Sequence, residues 1–239
     1  MKSGVKTISG SIRFSISFDE PDGGGGGSAI ADAVAASTGQ SFYLQTDTSA
    51  QFGDVADGAT IVSAAAGDVA MTVFTGSWTW NETTGMMNLT GGLSVATSTP
   101  FDVGGQDLYL VIDTADSLFM TVSDDASGGF YAGLVENAGG SIDAGMTGPP
   151  TYYVNGVAIA RTRQALFNAI TGQGKKVLRI AGFYPSTTFD NGWNFGRWTG
   201  NNTYNLNGAV GDLVLCDAQD LAAGQAIEAE LAARHGITL

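Results

Sequence analysis

The chain has 239 residues, 44% of them hydrophobic, which excludes wholesale disorder and allows a sizeable core. Lys and Arg total 10 against 23 Asp and Glu, and the resulting net charge of −13 argues against direct binding to nucleic-acid phosphates or to an anionic membrane. Charged residues amount to only 14%, while Gly reaches 35 and Pro only 5, so the surface has to be built from Thr, Ser, Asn, Gly and Ala around many tight turns, as in a β-rich protein.

The N-terminus, Met1-Lys2-Ser3-Gly4-Val5-Lys6, has no continuous apolar stretch of the secretory kind, so no signal peptide is expected. No segment reaches the ~18 apolar residues of a membrane span. Over residues 5–18 apolar residues (Ile8, Ile12, Phe14, Ile16, Phe18) alternate with Ser9, Ser11, Arg13, Ser15 and Ser17, the period of a half-buried strand. Gly23, Gly24, Gly25, Gly26 and Gly27 then form a flexible loop. What precedes them is too short to fold alone, so residues 1–239 are read as one domain with this loop inside it.

One or two helical turns are expected over residues 29–37, and a short strand at Phe42-Tyr43-Leu44. Strands follow at residues 59–63, 69–74 and 77–80. A turn at Asn81-Glu82-Thr83-Thr84-Gly85 and a return through Met86-Met87-Asn88-Leu89-Thr90 complete a hairpin. Asn81-Glu82-Thr83, Asn88-Leu89-Thr90 and Asn201-Asn202-Thr203 match the N-glycosylation pattern and are discounted for want of a secretory signal. Leu108-Tyr109-Leu110-Val111-Ile112 is unbroken and apolar, a strand buried on both faces. Strands are expected again at residues 118–122 and 129–135. Asn155-Gly156 between Tyr152-Tyr153-Val154 and Val157-Ala158-Ile159 is a strong hairpin signal.

Residues 163–170 suit a short helix stopped by Gly172, and residues 176–183 a strand. Residues 205–215 form the last strand. Its apolar run Leu213-Val214-Leu215-Cys216 holds the only cysteine, so an intramolecular disulfide is excluded and the thiol reads as a small buried hydrophobe. A catalytic thiol needs a histidine. The only one, His235, falls in the last turn of a helix over 221–235, where it suits the helix dipole. Asp220 is that helix's N-cap and Gly236 its stop, with Ala223, Ile227 and Leu231 on one face. About twelve short strands and one clear helix, without βαβ alternation or fixed repeat, predict an all-β antiparallel β-sandwich with a short C-terminal helix.

The last third carries a resemblance. The strand–turn–strand around Val154-Asn155-Gly156-Val157, the strand Val177-Leu178-Arg179-Ile180-Ala181-Gly182, the segment Tyr204-Asn205-Leu206-Asn207-Gly208-Ala209-Val210-Gly211-Asp212-Leu213-Val214-Leu215 and the helix with Ile227-Glu228, Leu231-Ala232-Ala233 and Gly236-Ile237 occur in that order. Over about residues 150–239 this resembles the concanavalin A-like, laminin G-like jelly rolls of tailed-phage and gene-transfer-agent virion proteins. Asp212 stands where those have Glu, Glu230 where they have an aromatic, and Gly224 where they have Arg, a helical glycine that costs about 1 kcal/mol of stability against Ala. The fold hosts lectins, glycosidases and structural parts, so it does not decide function.

A glycosidase needs two carboxyls across a cleft. Asp54, Asp57, Asp68, Asp102, Asp107, Asp113, Asp116, Asp124, Asp125, Asp143 and Asp190 are scattered, and Glu228 and Glu230 do not share a helix face, so no catalytic residue is assigned. Asp113-Thr114-Ala115-Asp116 and Asp124-Asp125 read as solvated turn caps, with Ca²⁺ the one cofactor their oxygens suit. Phe183, Tyr184, Phe189, Trp193, Phe195, Trp198 and Tyr204 interleave with asparagines. Core and loop packing is the first reading; a sugar site is the second, with Trp193, Trp198, Asn191 and Asn194 as contacts. Trp78 and Trp80 flank the earlier hairpin as packing residues.

The resemblance implies a non-enzymatic virion structural protein of a phage or gene-transfer-agent-like particle: a capsid decoration, head spike or tail-fibre component. It is expected in the virion, as a homo-oligomer with other virion proteins, contacting host-surface polysaccharide. A stand-alone carbohydrate-binding (lectin-like) module is the alternative, and a glycoside hydrolase ranks third. The glycine loop and the N-terminal strand are the expected assembly contacts, since a terminal strand can extend a neighbour's sheet.

Overall fold

The computed structural model describes residues 27–39, 41–46, 60–62, 70–96, 101–102, 104–115, 118–124, 132–135, 140, 150–182, 188–189, 193–195 and 208–239. The expected strand at 5–18 lies outside these residues, as does the glycine loop apart from Gly27. Along the chain run α1 (Ala29–Ala36), β1 (Phe42–Leu44), β2 (Thr60–Val62), β3 (Ala70–Asn81), β4 (Met86–Ala96), β5 (Phe101–Asp102), β6 (Gln106–Asp113), β7 (Leu118–Asp124) and β8 (Ala132–Val135). They continue with β9 (Thr151–Val154), β10 (Val157–Ile159), α2 (Arg163–Ile170), β11 (Lys176–Ala181), β12 (Thr188–Phe189), β13 (Trp193–Phe195), β14 (Gly208–Asp217) and α3 (Leu221–His235). The described chain is therefore mostly antiparallel β-sheet with three helices. The segments expected as separate strands at 69–74 and 77–80 form one strand, β3, whose register against β4 shifts twice, between Val73 and Thr75 and between Thr75 and Ser77.

The main sheet follows the order β10-β9-β11-β6-β14-β4-β13-β7-β8, with β1 on β14 and β3 on β4. Its centre is β6, β11 and β14, and each is buried on both faces. Because side chains alternate across a strand, Tyr43, Tyr109, Val111, Val177, Val214 and Cys216 share one face. There they pack against Ile30, Ala33 and Val34 of α1 and Ile227, Leu231 and Ala232 of α3. Leu108, Leu110, Ile112, Leu178, Ile180, Leu213 and Leu215 lie on the other face and are equally buried. Each such side chain contributes about 1.5–3 kcal/mol on leaving water, so this apolar run anchors the fold.

Local chemistry fixes the element ends. Ser28 caps α1, its Oγ accepting from Ala31 N at 3.1 Å. Asp220 caps α3 through Ala223 N at 2.8 Å, and Gly236 ends it at φ +66°, with Ile237 N donating back to Ala232 O at 2.8 Å. Asn155 (φ 48°) and Gly156 (φ 76°) both occupy the left-handed region, as the two-residue turn between β9 and β10 requires. Asn155 also accepts from Val177 N at 2.9 Å through Oδ1 and donates to Thr238 O at 3.2 Å through Nδ2. The turn therefore ties β11 to the residues just past α3.

Replacing Asn155 by Ala strains the left-handed position and leaves the Val177 N–H without its acceptor. Urea unfolding should register a loss of about 2 kcal/mol.

Candidate functional site

The buried ionisable side chains Asp107, Arg179, Asp212, Glu228 and His235 gather along α3 and the strands beneath it. In register across β9, β11 and β6 stand Tyr153, Arg179 and Tyr109. The Arg179 guanidinium lies between the two rings, 5.2 Å from the centre of Tyr153 and 5.4 Å from that of Tyr109. Its Nε and Nη2 donate to Asp107 Oδ2 at 3.1 and 2.8 Å, and Nη2 also reaches Gln219 O at 3.1 Å. Asp107 accepts further from Tyr109 Oη at 3.0 Å and Gln219 N at 3.3 Å, and its Oδ1 from Gly182 N at 2.8 Å. Arg179 and Asp107 are only 3% and 1% exposed. Burial pushes the Tyr109 phenol well above its ordinary range, and the Asp107 charge adds to that, so it remains a hydrogen-bond donor.

The second centre is Asp212, which is fully buried. It sits where the pairing of β14 with β6 shifts register between Val210 and Leu213. Such a bulge re-aims side chains. Gly211, beside it, leaves room for His235 Cε1 and Val111: an added Cβ would fall 2.8 and 2.7 Å from them. Asp212 Oδ2 accepts from Tyr43 Oη and from Arg234 Nε, both at 3.0 Å. Its Oδ1 accepts from Thr46 N at 2.6 Å and Thr46 Oγ1 at 3.1 Å, and lies 3.2 Å from His235 Nε2. Burial works to raise the Asp212 pKa, but the hydrogen bond and charge of His235, the Arg234 cation and the Thr46 N–H outweigh it and hold the carboxyl below its usual value. Lys175 completes this end of α3, donating to His235 O at 3.3 Å and to Thr84 O at 2.7 Å in the turn between β3 and β4.

The sequence stripe Ala223, Ile227, Leu231 catches only part of the buried face of α3. That face consists of Gly224, Ile227, Glu228, Leu231, Ala232 and His235. Gly224, which helix propensity marks as a cost, is where the Arg179 guanidinium packs: a Cβ there would collide with Nη1, Nη2 and Cζ of Arg179. His235 lies in the last helical turn as expected, and there it is buried against Asp212. Glu230 faces α1 and caps it from outside, accepting from Ser28 Oγ at 2.7 Å and Ile30 N at 3.1 Å. Glu228, one turn beyond Gly224, is fully buried, and neither carboxyl oxygen has a hydrogen-bond partner among the described residues.

Of the sugar-contact candidates, Asn191 and Trp198 lie outside the described residues, while Trp193 and Asn194 lie on β13, paired with β7 and β4. Trp80 is half-buried and donates from Nε1 to Thr46 O at 2.9 Å, the packing role expected of it. Asp113 ends β6 half-buried and Asp124 ends β7, whereas Asp116 and Asp125 lie outside the described residues. Among the described residues no group of three or more His, Cys, Asp and Glu could hold a metal ion, and no helix is long and apolar enough to cross a membrane. Asn81, the first of the glycosylation-pattern asparagines, caps its own turn, Oδ1 accepting from Thr83 N and Thr84 N at 3.0 and 3.2 Å. Cys216 is buried as expected, and burial, followed by the Asp107 and Asp217 charges, pushes its thiol up to about 12. A shallow groove of about 340 Å³ between α1 and α3 is lined by Ala29, Ala33, Ala36, Ala223 and Ile227 with Asp32 at its side.

Comparison of the chain with protein-family models, with curated proteins and with solved structures returns no match. Chemically, the two carboxylate centres hold charge in fixed places out of water. Such groups clamp one element to another: breaking a buried pair costs about 3–5 kcal/mol. A strand reading Val-Leu-Arg-Ile or Val-Gly-Asp-Leu signals such a pair in sequence, because a charge between two buried neighbours has to find a partner.

Two measurements check this arrangement. Gly224→Ala, which helix propensity alone would make stabilising by about 1 kcal/mol, should destabilise by about 1–3 kcal/mol in urea as Arg179 is displaced. For Asp212 the folded pKa lies below the unfolded one, so its stabilisation is complete above the ordinary aspartate range and drains away as pH falls through the folded value. Asp212→Asn should lower stability at neutral pH by about 3 kcal/mol and flatten the acid limb of a urea-midpoint-against-pH curve.

Proposed function

We propose that the chain is a non-enzymatic structural and assembly domain, a concanavalin A-like β-sandwich serving as a virion component of a phage or gene-transfer-agent-like particle. The observation that carries this reading is the use made of the buried charge. Asp212 and Arg234 fasten α3 onto the sheet, and Asp107 with Arg179 joins β6 to β11 and holds Gln219 just before the helix, instead of converging on an open cleft. A part that must persist on an exposed surface gains from such clamping, since each fixed pair raises the cost of local opening.

The sandwich reading is supported by the double burial of β6, β11 and β14. The face opposite α1 and α3 is as dry as the face they cover, and a second layer of extended chain is the cover such a face takes. Residues 150–239, which run from β9 to α3, carry the resemblance to the virion jelly rolls on which this reading draws. Homo-oligomeric packing with other virion proteins, and contact with host polysaccharide through the segment of Trp193, Asn194, Asn191 and Trp198, follow from the same reading.

Particles purified with and without this gene product test it. The chain should appear in the particles by mass spectrometry, and particles lacking it should lose stability or host attachment. Particles unchanged in composition, stability and attachment would count against the assignment. Binding of the isolated monomer on a glycan array, abolished by Trp193→Ala, would favour the lectin-like module instead.

A further inference from the structure

We propose that Asp107, Arg179 and Glu228 form a proton-controlled latch: α3 seats on the sheet with a proton on Glu228 and loosens when that proton leaves. The geometry sets two carboxyls against one cation. Asp107, from β6, occupies Nε and Nη2 of Arg179 and receives the Tyr109, Gln219 and Gly182 donors besides. Arg179 Nη1 presses against α3 at Gly224, one turn before Glu228. Neither that nitrogen nor either Glu228 oxygen has a hydrogen-bond partner among the described residues. With both carboxyls ionised the cluster would hold a net negative charge out of water, and Glu228, the carboxyl poorer in donors, is the one that keeps the proton.

The surrounding groups agree. Burial raises the Glu228 pKa; the Arg179 cation opposes this, Asp107 adds to it, and the Gly156 backbone opposes it. The titratable and charged groups on that face of the neighbouring strands are Asp107, Tyr109 and Asp113 on β6, Arg179 on β11, Tyr153 on β9, Tyr43 on β1, and Asp212 and Cys216 on β14, with Cys216 opposite Asp107. On α1, Asp32 stands by the groove beside Ala223 and Ile227. On α3 itself, Glu230 is engaged by α1, and Arg234 and His235 by Asp212. Because the folded pKa of Glu228 lies above the unfolded value of 4.5, the stabilisation is complete below that value and is lost as pH rises through the folded one. This is opposite in sign to Asp212, which stays ionised and keeps its hold on the far end of α3 while the Gly224–Glu228 turn is released.

Hydrogen exchange on the full chain between about pH 5 and about pH 9, corrected for the intrinsic pH dependence, reads the latch directly. The α3 amides around Glu228 should lose protection by up to about tenfold per pH unit as Glu228 ionises, with β6 and β11 unaffected, and Glu228→Gln should abolish the loss. Protection of α3 that is flat in the wild type, or that falls identically in Glu228→Gln, would overturn the proposal. Carbon-13 titration of the wild-type carboxyls covers a variant that fails to fold. One glutamate titrating above the ordinary range supports the latch, and all of them titrating within it refutes it.

Discussion

The buried guanidinium of Arg179 is the constraint around which the described structure is arranged. A cation on a strand covered on both faces has to be neutralised locally, because an unpaired charge out of water costs far more than the fold can spare. Asp107 supplies the charge from the neighbouring strand, Tyr109 and Tyr153 supply ring faces, and Gln219 supplies a carbonyl from the turn before α3. The guanidinium still needs space on its helix side, and Gly224 provides it. A glycine that local propensity counts as a defect is therefore required by the charge beneath it.

The position of α3 follows from this and from the Asp212 centre. One anchor lies under the first half of the helix and the other under its last turn, with Ile227, Leu231 and Ala232 packed on apolar side chains between them. The apolar contacts supply most of the free energy of burial, but they are non-directional and tolerate sliding. The two carboxylates each accept several hydrogen bonds of defined geometry, so they fix rotation and register. The β14 bulge brings Gly211 and Asp212 to His235, and Glu230 extends the same ordering to α1 through its N-terminus.

These clamps have consequences for what the domain can do. Charge that is enclosed and hydrogen-bonded is unavailable to a diffusing substrate, so it acts on the chain's own elements and through its protonation. Asp212 and Glu228 are shifted in opposite directions by their surroundings, one by donors and cations, the other by dehydration. The surface outside is acidic, with a net charge of −13 for the whole chain, which favours solubility and discourages contact with other polyanions.

Much of this was written locally. Alternation and unbroken apolar runs located β6, β11 and β14, Asn155-Gly156 specified its hairpin, and Asp220 and Gly236 marked the ends of α3, because each depends on residues within a few positions of one another. The apolar positions of α3 were legible too. Its buried Gly224, Glu228 and His235 were not, since hydrophobic periodicity passes over polar and glycine residues on a core face. The partners of Arg179 and Asp212 come from chain segments tens of residues away, Asp107 being 72 positions from Arg179 and Thr46 being 166 from Asp212. Only the sheet order that sets β6 beside β11 and β1 beside β14 puts those groups within hydrogen-bond reach. The sequence by itself determined most of the longer extended and helical segments and the ends of α3; the tertiary structure decided which charges meet, because Coulomb and hydrogen-bond forces act over a few ångströms of space without regard to separation along the chain.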